Sequence, residues 1–156
     1  MNDQIISLTD WFQTPAGRYL LAWEQAQFDR SVANLFGFNA LQLGLPELQA
    51  LAANRMPHRW LALPEELQRD AEGAPGAEAA GAGSALGEAR DTPRAALVTN
   101  AAALPFPQAC LDLVVLPHTL ELSADPHHVL REVERVLVPE GRVVVAGFNP
   151  NSFWGL

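Results

Sequence analysis

The chain has 156 residues and a mass of 16.9 kDa, enough for one domain with a real core. Eighteen acids against ten basic residues, every one an arginine, give a net charge of −8, which argues against a broad basic footprint for nucleic acid or an anionic membrane surface. A single cysteine (Cys110), no apolar run of about 18 residues and no basic residue in Met1 to Asp10 predict a reducing compartment, no membrane span and no secretory leader, so a cytoplasmic location.

In chain order, the first predicted element is a helix. Thr14 is placed to cap it, Pro15 suits its first turn, and helix-compatible residues run to about Phe36. Leu20, Leu21, Trp23, Phe28, Val32, Leu35 and Phe36 form its apolar face, Glu24, Asp29 and Arg30 fall elsewhere, and Gly37 is the expected C-terminal cap. Asn39 to Gly44 reads as a short strand ending in a turn. Pro46 opens a short helix through about Asn54, and Arg59 to Leu63 is a second strand. Residues 70–94 are rich in Ala, Gly, Pro and Glu and nearly devoid of large apolar side chains. They read as a flexible insertion inside one domain spanning 1–156, whose residues 1–37 form an N-terminal helical segment.

The last 60 residues carry the clearest pattern. Ala95 to Thr99 is a strand, Leu104-Pro-Phe-Pro107 a loop, and Leu111 to Leu116 a strand buried on both faces. Asp125-Pro126 starts a helix with Val129, Leu130, Val133, Val136 and Leu137 on one stripe. Pro139-Glu-Gly141 stops it, and Arg142 to Ala146 is a further buried strand. Strand, helix and strand in this order predict a right-handed βαβ unit and a three-layer α/β sheet.

In an open parallel sheet, ligands sit beyond the carboxyl ends of the strands at the topological switch point. The residues following each strand are therefore the candidates. Gly44 allows close backbone approach, Glu65 and Glu66 lie about 20 residues on, where an acid suits a ribose hydroxyl, and Asn100 can meet an adenine edge. Together they hint at an adenosine-containing ligand. No phosphate loop, Ser-His-Asp order or metal motif is present: no cysteine or acid cluster has ligand spacing to His127 and His128, and no metal is expected.

Residues 97–147 resemble the C-terminal half of the class I S-adenosylmethionine-dependent methyltransferase core, of the methyltransferase type 11 kind. The matching text is LVTNAAALPFP at 97–107, LDLVVLPHTLE at 111–121, Asp125-Pro126, LREVERVL at 130–137 and PEGRVVV at 139–145. Thr14 to Gln25, Leu41 to Pro46 and Gly147 to Leu156 are similar to pieces of a bacterial subfamily of that family. The resemblance implies a Rossmann-like three-layer sandwich with a mostly parallel sheet, here lacking the usual C-terminal strand pair, with a partner chain or second copy expected over that edge. It implies S-adenosylmethionine as cofactor and methyl transfer to a small-molecule acceptor. Gly44 corresponds to the first glycine of the cofactor loop, with Gln42 where the family usually has an acid. Glu65 is the nearest match to the ribose-binding acid, Asn100 stands where an aspartate usually contacts the adenine amine with the Ala101 N–H beside it, and Leu116 lies near the methionine end of the cofactor. His118 and Glu121 fall in the region that faces substrate, His118 as first candidate base and Glu121 as second.

The chain departs from the family in the loop. The usual D-x-G-x-G-x-G is here Gln42-Leu-Gly44-Leu-Pro46-Glu-Leu48, so Pro46 lacks an N–H and Leu48 adds bulk where backbone approaches the ligand. The alternative reading is a non-catalytic binding module that keeps the fold and has lost the cofactor.

Overall fold

The computed structural model describes residues 7–64, 95–149 and 151. Glu65, Glu66 and the 70–94 insertion lie outside them. Two helices open the chain, α1 (Leu8–Phe12) and α2 (Pro15–Val32), followed by β1 (Asn39–Leu43), β2 (His58–Pro64), β3 (Ala95–Thr99), β4 (Leu111–Pro117), α3 (Pro126–Val136) and β5 (Leu137–Ala146). The five strands form one parallel sheet in the order β3-β2-β1-β4-β5. The order reverses between β1 and β4, where Ala40, Leu41 and Gln42 pair with Leu113, Val114 and Val115. That reversal is the switch point, and the expected α/β class holds.

Alternation along the strands fills both faces. Ala40, Leu113 and Val115 pack with Phe12 of α1 and with Phe28 and Val32 of α2. Leu41, Leu43, Val114 and Leu116 pack on the other face with Val129, Val133 and Val136 of α3. Each helix start follows from its cap. The Thr14 hydroxyl accepts the Gly17 N–H at 3.1 Å ahead of Pro15, and the Asp125 carboxylate accepts the His128 N–H at 3.0 Å ahead of Pro126.

Four local expectations are corrected. First, α2 ends at Val32, not near Phe36, because the Asn54 side chain donates to the carbonyls of Val32 (2.9 Å) and Leu35 (3.1 Å). Gly37 is consequently not its cap. It leaves room for Asp112, whose carboxylate takes the N–H groups of Phe38 and Asn39. Second, Trp23 and Phe36 are exposed, whereas Glu24, assigned away from the apolar face, is buried. Third, residues 45–54 form turns rather than a helix. Gln42 is the reason. Its Nε2 donates to the carbonyls of Gly44, Leu45 and Leu48 at 2.7–3.0 Å, and its Oε1 accepts the Ala50 N–H at 3.0 Å. A side chain that collects three carbonyls from one loop competes with the helical i to i+4 pattern. Fourth, β5 begins directly after α3. The expected stop at Pro139 to Gly141 is an irregularity inside the strand, with Glu140 at φ +68° and the pairing moving from Leu111↔Leu137 to Leu113↔Arg142.

Candidate active site

The carboxyl ends of β1 and β4 meet at Gly44 and at residues 118–121. Gly44 has φ +88°, a conformation that L side chains rarely adopt, while its N–H continues the ladder to the Ala62 carbonyl at 2.8 Å. A side chain there would project toward the Thr119 hydroxyl, which itself donates to the Leu43 carbonyl at 2.5 Å and ties β1 to the turn after β4. His118 also lies in the left-handed region, at φ +54°, and its N–H donates to the Ala146 carbonyl at 2.8 Å. A non-glycine residue held there costs about 1–3 kcal/mol and persists only where its surroundings hold it.

Those surroundings are specific. The His118 ring is 1% exposed. Its Nε2 lies 2.8 Å from Oε1 of Glu24, and its Nδ1 bonds Oε1 of Glu121. Oε2 of Glu121 accepts the Phe148 N–H at 3.0 Å. Phe148 lies on the imidazole at 4.6 Å between ring centres, Phe12 meets it edge-on at 5.7 Å, and Trp11 stands edge-on to Phe148 at 5.8 Å. Carboxylates only accept, so a ring with a carboxylate at each nitrogen is the doubly protonated imidazolium. Burial alone would lower the pKa of His118; the hydrogen bond and charge of Glu24, followed by those of Glu121, outweigh it and hold the pKa above its ordinary value. Two carboxylates around one imidazolium leave an excess negative charge.

The remaining sequence candidates are spread along the same edge. Asn100 follows β3, two strands from β1, and is exposed. Its Oδ1 accepts the Ala102 N–H at 2.8 Å, an Asx turn that presents the Asn100-Ala101 backbone at the strand end. The Ala101 side chain is 9% exposed and belongs to the α3-side core. The Leu116 side chain is fully buried on that face too, so only its backbone borders the site. Glu65, the next residue after β2, lies outside the described residues. The structure therefore brings Gly44, His118 and Glu121 together and sets Asn100 and Ala101 apart on the same rim.

Glu24 and the rings of Phe12 and Phe148 are not singled out from sequence, and Gln42 stands out there only as a departure from the family's acid. For Glu24 a signal existed: Gly17, Glu24, Phe28 and Val32 are the buried positions of α2 and fall on one stripe at helical spacing. An acid on such a stripe requires a buried partner. Cys110 is half-buried, and its thiol pKa is raised by burial and the Asp112 charge against a lowering by Arg135, the reverse of an activated nucleophile. Among the described residues no group of three His, Cys, Asp or Glu side chains is placed to hold a metal ion, and no helix is long and apolar enough to cross a membrane.

The donor set suits a cationic, adenosine-bearing cofactor. An asparagine turn after β3, a glycine with left-handed backbone after β1 and a cluster with excess negative charge after β4 lie in that order along the strand ends. Comparison with known proteins agrees. A family model described as "Methyltransferase domain" matches residues 77–145. The chain is 40% identical over 88 residues to the demethylmenaquinone methyltransferase of Thermus thermophilus, covering 51% of this chain and 40% of that protein. It is 51% identical over 53 residues to the uncharacterized protein YafS of Escherichia coli, covering 34% of this chain and 22% of that one. The chain thus spans less than half the length of these curated relatives. Among solved structures, an S-adenosylmethionine-dependent methyltransferase from Thermotoga maritima superposes with a TM-score of 0.58 at 17% identity, over 95% of this chain and 64% of that one. A Haloferax volcanii methyltransferase structure, solved in complex with the activator Trm112, gives 0.56 at 20% identity, over 90% and 60%. The chain has the fold of the class I S-adenosylmethionine-dependent methyltransferases.

Proposed function

We propose that the protein transfers a methyl group from S-adenosylmethionine to a small-molecule acceptor. The observation that carries this reading is the meeting of Gly44 with the Glu24–His118–Glu121 cluster at the switch point of a methyltransferase fold. When bound, S-adenosylmethionine supplies an electrophilic methyl group on a sulfonium. The chain supplies position and electrostatics. Gly44 lets backbone approach the ligand, Glu65 is the acceptor for ribose hydroxyls, and Asn100 with the Ala101 N–H receives the adenine edge. The Leu116 backbone borders the methionine end. The carboxylates of Glu24 and Glu121 favour positive charge at the end of β4. Where the acceptor must lose a proton, Glu121 stands at the mouth with its side chain 28% exposed, and His118 stands behind it. Glu121 keeps free lone pairs for that proton, whereas His118, doubly protonated here, takes one only after passing a ring proton to Glu24 or Glu121. The name of the Thermus relative makes a quinone the first acceptor to assay. We include in the same reading a partner chain or second copy over β5. In its favour, Val143 and Val145 are 44% and 48% exposed, and β5 is an edge of the sheet among the described residues. Sedimentation of the purified chain at monomer mass would remove the second copy and leave the partner chain.

The test is calorimetric titration of S-adenosylhomocysteine into wild type, Asn100→Ala and Glu65→Ala. Each variant is expected to bind several-fold more weakly. Unchanged affinity in both would remove the site assignment, and absence of binding in wild type would favour a fold retained without its cofactor.

A further inference from the structure

A buried acid is costly, and Glu24 is 6% exposed with Oε2 buried and without a hydrogen-bond partner among the described residues. Its other oxygen crosses from α2 to His118, 94 positions along the chain. We propose that Glu24 is a positioning residue: by holding Nε2–H of the His118 imidazolium it turns Nδ1–H onto Glu121 and so fixes the carboxylate at the mouth of the site. This inference deepens the methyltransferase reading and rests on it for its catalytic meaning. The geometry supports it at each link. α2 runs from the carboxyl ends of the strands, where Glu24 meets His118, to their amino ends, where Val32 meets Asn54 ahead of β2. Glu121 is held on both oxygens, by His118 on one and by the Phe148 N–H just past β5 on the other. The chain Glu24–His118–Glu121–Phe148 therefore joins the first long helix to the end of the last strand across the switch point. Phe12 of α1 and Phe148 contribute rings and no titratable group, so Glu24 and Glu121 are the charged groups seen to face the imidazole among the described residues.

The inference separates from plain structural support through Glu24→Gln. A glutamine carbonyl can still accept from Nε2–H, so packing is kept while the charge that favours the imidazolium is lost. The experiment is long-range proton–nitrogen correlation of the histidine rings of the 156-residue chain, without cofactor, from about pH 5 to 10, in wild type, Glu24→Gln and Glu24→Asp. His118 of wild type is expected to carry both ring protons at the free imidazole's own midpoint, about pH 6.5. Its midpoint is expected to fall by about one pH unit or more in Glu24→Gln, with the Phe148 amide resonance moving as Glu121 loses its anchor, and to recover partly in Glu24→Asp. A neutral His118 in wild type at that pH, or a midpoint unchanged in Glu24→Gln, overturns the proposal. If Glu24→Gln fails to fold, Glu24→Asp decides, since its shorter reach must also lower the midpoint. Because cofactor is absent, this outcome is independent of whether the chain binds S-adenosylhomocysteine.

Discussion

Gln42 shows how one side chain reshapes a site. It occupies the position where the resembled family carries an acid, and here its amide donates to three carbonyls and accepts one N–H of the following loop. An acid could not make those donations. Gln42→Glu would set a carboxylate against the carbonyls of Gly44, Leu45 and Leu48, and leaving buried carbonyls unpaired costs about 1–3 kcal/mol each. A loss of at least about 2 kcal/mol in urea unfolding is expected, larger than for Gln42→Leu. Equal stability of Gln42→Glu and wild type would show that the loop is not organised this way. At this scale the sequence was only partly legible. Gly44 stood out because its place after a strand demands freedom of backbone. The burial of Glu24 is signalled by its stripe with Phe28 and Val32, but its partner is not, because nothing in a linear pattern says that an acid on α2 has a histidine waiting past β4.

Among the elements, the caps were the most legible features. Thr14-Pro15 and Asp125-Pro126 are local signals whose chemistry is complete within a few residues, and both helices begin there. Ends set from a distance were not legible: Asn54 terminates α2 from outside the helix, and the 45–54 turns depend on Gln42 across the loop. The seating of α1 is testable on the same grounds. A Cβ at Gly17 would collide with the backbone of Trp11 and Phe12, because the two helices cross there at contact distance. Phe12 is fully buried and packs on the His118 ring. Gly17→Ala should therefore displace α1 and destabilise the fold by about 1–3 kcal/mol, despite the better helix propensity of alanine. Stabilisation by this substitution in thermal or denaturant unfolding would mean that α1 does not pack as described.

For the whole molecule, the parallel sheet followed from apolar runs and the βαβ order, and the strand order β3-β2-β1-β4-β5 placed the switch point where the candidate residues gather. The imidazolium at that point links stability to pH. Because its pKa is raised in the folded state, the native chain binds that proton more tightly than the unfolded chain. This stabilisation is fully present below the unfolded histidine value, about 6.5, and is lost as pH rises through the higher folded value. The urea midpoint of wild type should thus decline as pH rises above about 6.5, and His118→Asn should flatten that decline. A decline of the same size in both would assign the effect to other groups.

The proposed methyl transfer requires that this fold bind S-adenosylmethionine through the ends of its strands. Thermal unfolding of the 156-residue chain with and without excess S-adenosylhomocysteine tests it most directly. At about 100 times its dissociation constant a ligand of the native state adds roughly 2.7 kcal/mol, which for a chain of this length is a rise of several degrees in Tm. That rise is the expected result. A sharp transition that does not move at saturating ligand would contradict the account and leave the methyltransferase fold without its cofactor.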